Sequence, residues 1–228
     1  MSKSKTPKQE EKNIVAAEQA LSRSEQFIER NQKIIIWVVG IIVVLVAGYI
    51  LATRFVLAPR EKEASAEMFM AELHFERDSL QLALNGDGVY PGFLDIISEY
   101  RFTSAANLSN YYAGVIYMRL GEYELALEHL KRFNGRDKLV GAMALGAIGD
   151  AYIELGQLDR GLRFYRRAYS HEPNDLTTPL FLFKAGLTKE VMGEPAEALK
   201  YYERIKEEFP NTAEGRNIDR YIGRVSVQ

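Results

Sequence analysis

Apolar and polar positions along the 228-residue chain fall into three regimes. Between Asn13 and Gln32, Ile14, Ala17, Leu21 and Ile28 share one helical stripe with Phe27 beside it, which predicts an amphipathic helix. Such a helix either lies on a membrane or a partner, or simply continues into the segment that follows. From Ile34 to Thr53 (IIIWVVGIIVVLVAGYILAT) charge disappears altogether. As a helix this run is about 30 Å long, enough to cross a bilayer. A cleavable signal peptide is the rival reading, but its apolar region runs to about 15 residues and ends in a small-residue cleavage site. The run here is longer and has no convincing site, so residues 34–57 are read as a retained transmembrane helix, with Trp37 and Tyr49 near its ends.

Beyond this run the alternation becomes that of packed helices. Ala58 and Pro59 are expected to interrupt the helix, and Arg60 to restart one with Glu61 and Glu63 in its acidic first turn. Met68, Ala71 and Phe75 fall on one face of it, and Phe69, Leu73 and Leu80 on another. That helix should be packed on two sides. Asn85-Gly86-Asp87-Gly88 reads as a loop, and Phe93–Tyr100 as a second helix, so residues 60–106 form a degenerate first helical pair.

From residue 107 to 211 one pattern is written three times. Gly114, Tyr117, Gly121 and Ala126 recur as Gly149, Tyr152, Gly156 and Gly161, continuing through Tyr165 and Ala168 to Pro173. Gly186, Gly193, Ala198, Tyr202 and Pro210 repeat the frame with a two-residue insertion. A period near 34 residues means a helical array. Mid-helix glycine costs about 1 kcal/mol against alanine, so its recurrence demands a close helix crossing. The later glycines end first helices, and the prolines end second ones. These residues resemble the tetratricopeptide repeat (TPR). The resemblance implies an all-α, right-handed solenoid of antiparallel helix pairs, here with three repeats over 107–211 and a capping helix over 212–228.

In that family the first helices line a concave groove that binds peptides and proteins. Carried across position by position, the groove residues are Leu108, Tyr111, Tyr112, Val115, Met118 and Arg119, then Met143, Asp150, Ile153 and Glu154, then Leu180, Phe183, Lys184, Leu187, Glu190 and Val191. The apolar members are the candidate partner-binding set. Val115, Asp150 and Leu187 stand where carboxylate-clamping members use asparagine, so an apolar, adaptable segment is the expected ligand. On the opposite face Lys131, Arg132, Arg166, Arg167 and Arg204 recur late in second helices, and are expected to be solvated.

Charge and composition narrow the function further. From Arg60 onward there are 21 basic and 26 acidic side chains, which gives no basic surface for nucleic acid. There is no cysteine, hence no disulfide, thiolate nucleophile or cysteine-ligated zinc. His74, His129 and His171 share no ligating spacing, and no phosphate loop or nucleophile elbow is present. Asn85 and Asp87 lack the further ligands of a calcium loop. The Asn107-Leu108-Ser109 triplet is read as a chance glycosylation match. Neither an enzyme nor a cofactor, metal or small-molecule site is expected.

Phe27-Ile28-Glu29-Arg30-Asn31-Gln32-Lys33 running into the span, then a divergent helical pair, then tetratricopeptide repeats, resembles the ancillary subunit family of the bacterial SecYEG translocon. This implies a single-pass inner-membrane protein with residues 1–33 cytoplasmic and the repeats periplasmic, assisting exported proteins near the translocon or a periplasmic chaperone. The charges agree in part. Seven Lys or Arg precede the span against three in a comparable window after it, although the nearest twenty residues on each side carry three apiece. The alternative is a structural repeat scaffold with one fixed envelope partner.

Overall fold

The computed structural model describes the backbone of residues 7–135 and 137–227, and side chains from Glu29 onward except Arg136. The expectations for Met1–Thr6, for Gln228 and for the side chains of the Ile14–Ile28 stripe lie outside the described residues. The chain divides into two compact units, Met1–Ala58 and Pro59–Gln228.

The first unit is helical throughout its described length. Helix α1 spans Pro7–Ala52 without a break, so the tail helix and the apolar run are one element. The polar stretch from Pro7 to Lys12 forms its first turns, with proline at a position where a missing N–H is not needed. One helix among the described residues is long and apolar enough to cross a membrane: its most apolar 18-residue window has mean hydropathy 3.0 and is wholly unburied. At its end Thr53 Oγ1 donates back to Tyr49 O and Ile50 O, at 2.9 and 3.0 Å, which satisfies the hydroxyl within the helix.

A π turn, Thr53–Leu57, follows, and α2 (Ala58–Glu76) starts at once. The interruption expected at Ala58 and Pro59 is therefore a widened turn, not a break. A proline ring collides with the carbonyl four residues back, here Phe55, and a π turn at that level relieves the collision.

The second unit is a succession of helices, with no strand among the described residues. After α2 come α3 (Leu80–Asn85) and α4 (Phe93–Glu99), so the divergent pair expected over 60–106 contains three helices. Three antiparallel pairs follow: α5 (Ser104–Leu120) with α6 (Tyr123–Arg132), α7 (Val140–Glu154) with α8 (Leu158–Tyr169), and α9 (Thr177–Val191) with α10 (Pro195–Glu208). Residues expected to form one closing helix instead make a short 3₁₀ turn, Gly215–Asn217, and then α11 (Asp219–Val225).

Small residues bring each pair together. A Cβ placed on Gly149 would lie 2.6 Å from Tyr165 Cε1, and one on Gly186 2.4 Å from Tyr202 Cε1. Only a bare Cα lets the second helix's aromatic ring lie against the first helix. The turn between α7 and α8 passes through Gly156 at φ +71°, a left-handed conformation cheap only for glycine.

The core is a chain of four apolar clusters shared between successive elements rather than one central mass. The first joins Ala64, Met68 and Ala71 of α2 to Phe93, Ile96, Ala105 and Ile116. Two polar contacts fix α2 there. The Glu61 carboxylate accepts the free N–H groups of Ser104 (2.5 Å) and Ala105 (3.1 Å) at the start of α5, and Arg60 Nη2 donates to Glu99 O at 3.0 Å. Helix α5 is thus capped from a distance by an acid, as its unsatisfied amides and dipole favour.

Candidate functional site

Helices α5, α7 and α9 stand side by side, and their facing residues enclose two small cavities. The first, about 220 Å³, is lined by Tyr111, Val115, Met118 and Arg119 of α5, Met143, Ala147 and Asp150 of α7, and Leu180, Phe181 and Lys184 of α9. The second, about 190 Å³, lies between Ile153, Leu158, Tyr165, Lys184, Leu187, Thr188 and Val191. Lys184 borders both.

A single polar cluster separates the two. Lys184 Nζ donates to both carboxylate oxygens of Asp150 at 2.7 Å, and Tyr165 Oη donates to Asp150 Oδ1 at 2.6 Å. Burial pushes the Tyr165 phenol well above its ordinary value, and the Asp150 carboxylate reinforces this, so the hydroxyl stays a donor. Acceptors and donors on the cluster are matched. At the outer rim Arg119 pairs with the exposed Asp78 at 2.5 Å.

Eight of the eleven apolar residues expected in the groove line these cavities: Tyr111, Val115, Met118, Met143 and Leu180 in the first, Ile153, Leu187 and Val191 in the second. Val191 is largely exposed, whereas Met143 is just past half-buried. Three residues go elsewhere. Tyr112 stacks on Phe93 (4.7 Å between ring centres) and meets Phe75 of α2 edge-on at 5.2 Å, and Leu108 packs against the same cluster. Phe183 is enclosed by Tyr202 and by Tyr221 of α11, the latter at 4.7 Å. Each end of the array thus covers its own outermost first-helix side chains.

Tyr165 and Leu158 come from a second helix, which a rule confined to first helices misses. The available signal was Tyr165 itself, an aromatic in repeat register whose length suffices to reach Asp150, fifteen residues earlier.

The other candidate chemistry is absorbed internally. Asp87 Oδ1 accepts the N–H groups of Val89 (2.9 Å) and Tyr90 (2.8 Å), while His74 Nε2 lies 3.3 Å from Oδ2. The Tyr90 and Val89 amides, with His74 adding, hold this carboxyl below its ordinary value and leave it committed to the turn. Asn107 clasps the backbone of Asn134 through both its amide groups, at 2.8 and 3.2 Å, which occupies the side chain of the glycosylation-like triplet. Among the described residues no cluster of three metal-ligating side chains forms.

The opposite face carries the basic row, and its members are not simply solvated. Lys131 Nζ donates to Tyr152 Oη (2.8 Å) and lies 5.0 Å from that ring's centre, the Arg167 guanidinium is 4.9 Å above Phe164, and Arg204 is 5.5 Å above Tyr169. Cations on this face therefore cover aromatic rings of their own helix (Arg167), of the next first helix (Lys131) or of the preceding second helix (Arg204).

Comparison with known proteins agrees with this geometry. Two tetratricopeptide repeat models match, one over residues 143–175 and the other over 181–212. The MamA protein structure aligns with a TM-score of 0.53 at 18% identity, over 72% of this chain and 81% of that one. Nearly identical TPR-like repeats of kinesin light chain type from Podosopora anserina align with a TM-score of 0.56 at 10% identity, over 73% and 87%. No curated protein matches the sequence. The chain carries tetratricopeptide repeats in an all-α array, a fold that typically serves protein interaction.

Proposed function

We propose that this protein is a single-pass membrane protein whose repeat array binds apolar segments of other proteins in the envelope. The observation that carries the binding role is the pair of apolar cavities on the α5–α7–α9 face with a matched polar cluster between them. An extended segment leaves its backbone groups unpaired, and the exposed edge of the Lys184–Asp150 pair offers both a donor and an acceptor to such a backbone. Apolar side chains of the segment then enter the cavities on either side. Leu180 and Leu187 lie two helical turns apart on α9, so the cavities are spaced about 10 Å, which suits residues i and i+3 of a peptide in the polyproline II form, with three residues per turn and about 3.1 Å rise per residue.

The anchor reading rests on the uncharged Ile34–Ala52 part of α1 and its exposed apolar side chains. The greater basic charge before the span favours a cytoplasmic N-terminus and puts the repeats on the outer side. With the layout's resemblance to the translocon-associated family, this supports work on exported proteins as they emerge from the Sec machinery, alone or beside a periplasmic chaperone. Photocrosslinking from Met143 and Leu187 in intact membranes, read by mass spectrometry, tests the whole reading. Many unrelated exported proteins should be captured. A single stoichiometric partner would instead establish a fixed scaffold, and a C-terminal reporter active in the cytoplasm would refute the orientation.

A further inference from the structure

One edge of the repeat unit carries an exposed apolar row that neither the core nor the groove uses. Phe102, Leu139 and Leu176 recur at intervals of 37 residues, each at the entrance to a first helix: Leu139 and Leu176 are the cap residues of α7 and α9, and Phe102 precedes the cap Thr103 of α5. Their exposures are 91%, 43% and 64%. A hydrophobic staple would fold such residues down onto their own helices. Here polar neighbours take over the capping: Thr103 Oγ1 accepts from Ala106 N, Asp137 Oδ1 from Leu139 N and Val140 N, and Asn174 Oδ1 from Leu176 N and Thr177 N. The apolar side chains are left pointing away. Phe102 moreover sits at φ +71°, a strained conformation for a bulky residue, and its ring gains almost no burial in return.

Hydrogen bonds connect this edge from one end to the other and identify where the chain enters it. Glu61 binds the start of α5, Asn107 clasps Asn134, and His171 Nε2 lies 3.1 Å from Asp137 O. The entrances of α5, α7 and α9 are thereby laid side by side, beginning beside Arg60 and Glu61. Arg60 follows Leu57, the last residue of the apolar run, by three positions, and three residues reach at most about 11 Å. Helix α5, with 17 residues, is about 25 Å long, which separates the entrances of the pairs from their opposite ends.

We infer that this edge rests on the lipid bilayer, with Phe102, Leu139 and Leu176 entering the headgroup region. The inference depends on the anchor reading above, because the short tether is what selects a membrane as the occupant. Charges along the edge are mixed, with Arg101 and Lys138 beside Glu99 and Asp175, so the contact is apolar and only weakly sensitive to salt. It holds the groove alongside the membrane, where a segment leaving the bilayer can meet it.

The absence of cysteine makes a direct test simple. Leu139→Cys, Leu176→Cys and a control, Leu125→Cys at the opposite end of the pairs, are spin-labelled in the full chain and reconstituted in phosphatidylethanolamine and phosphatidylglycerol vesicles. Labels at 139 and 176 should be several-fold more accessible to oxygen than to a water-soluble nickel chelate, while the label at 125 shows the reverse. Raising the salt to about 0.5 M, which screens charges beyond a few ångströms, should leave this contrast unchanged. If the protein resists alkaline extraction but all three labels favour the nickel chelate, the edge does not touch lipid and the inference fails with the anchor intact. Release by alkali would remove the anchor reading itself. Spin–spin broadening at 139 and 176 that grows with protein-to-lipid ratio would identify a second copy of the chain as the occupant and overturn the proposal. Phe102→Asn, which suits a left-handed backbone, should leave the thermal midpoint in detergent unchanged or raised, as an exposed side chain with no role in the fold requires.

Discussion

Lys184 on α9 and Asp150 on α7, 34 residues apart, meet with Nζ 2.7 Å from both carboxylate oxygens. That separation is three short of the 37-residue offset between these two copies, so Lys184 stands about one turn before Leu187, the counterpart of Asp150, and the two side chains meet across the groove floor. Both are about one-third exposed, and a pair so placed contributes about 1 kcal/mol or less after screening. Lys184→Met should therefore lower stability by no more than this, whereas Asp150→Ala, which removes the acceptor shared by Lys184 and Tyr165, should cost about 1–3 kcal/mol. Denaturant midpoints of the single and double variants measure the coupling, and a coupling near zero would reduce the pair to a chance surface contact.

The helix crossing gives a sharper stability test. Alanine at Gly149 would place its Cβ 2.6 Å from the Tyr165 ring, while at Gly223, in α11, nothing lies within 4 Å. Gly149→Ala should lower stability by about 1–3 kcal/mol through overpacking, and Gly223→Ala should raise it by up to about 1 kcal/mol through helix propensity. Gly135 is a poor control despite its loop, because its Cβ would meet Phe133 and the Gly141 backbone at 2.5 and 2.8 Å. Equal effects at 149 and 223 would contradict the close crossing.

The repeat frame was legible because it rests on residues with a local reason: a glycine wherever two helices cross and another wherever the chain must turn left-handed. What escaped was set by tertiary company. Leu108, Tyr112 and Phe183 occupy groove positions by register, yet the cluster built by α2, α3 and α4 takes up the first two and α11 covers the third, and nothing local announces which end helices fold back. The short α3 follows a turn through Asp78 at φ +60°, a conformation more often signalled by glycine. Nor does Pro59 by itself distinguish a helix break from a π turn, since both relieve the same collision.

His129 supplies a pH signature. It is buried, with Nδ1 3.1 Å from Asn110 Oδ1 and its ring stacked on Tyr117 at 5.4 Å. Burial lowers its pKa from the ordinary 6.5, against a smaller opposing pull from Glu128, with Arg132 adding to the decrease. The unfolded chain therefore binds more protons than the native one just below pH 6.5, so this contribution to stability is complete above that value and is lost as the pH falls. His129→Gln, which retains a hydrogen-bonding group without titrating, should give a thermal midpoint that varies less between about pH 7 and 5 than the parent's. An unchanged slope would assign the acid sensitivity to other groups.

Binding and stability should separate among the groove residues. Met143→Glu and Leu187→Glu place charge in the two cavities without disturbing a helix crossing, so together they should weaken crosslinking to partners by about tenfold or more, about 1.4 kcal/mol or above, while helicity stays the same. Phe183→Ala should behave differently, costing about 3–5 kcal/mol or somewhat less of stability because its ring is packed between Tyr202 and Tyr221. Loss of crosslinking in Phe183→Ala at full stability would restore that residue to the groove.

The basic row makes the opposite case, a surface whose chemistry is structural. Arg167 lies over Phe164 of its own helix, Lys131 over Tyr152 of α7 and Arg204 over Tyr169 of α8, each cation covering an aromatic face. Exposed contacts of this kind contribute about 0.5–1 kcal/mol each, and an acidic replacement also sets a negative charge against the negative face of the ring. Replacing Arg167 by Glu should thus lower stability by about 1 kcal/mol, whereas Arg132→Glu, on a residue whose described partner is the exposed Glu128 of its own helix, should cost less. Partner crosslinking from Met143 should persist in both variants at temperatures where they remain folded. If Arg167→Glu instead abolished that crosslinking at unchanged thermal midpoint, the row would be a binding surface and the groove would not act alone.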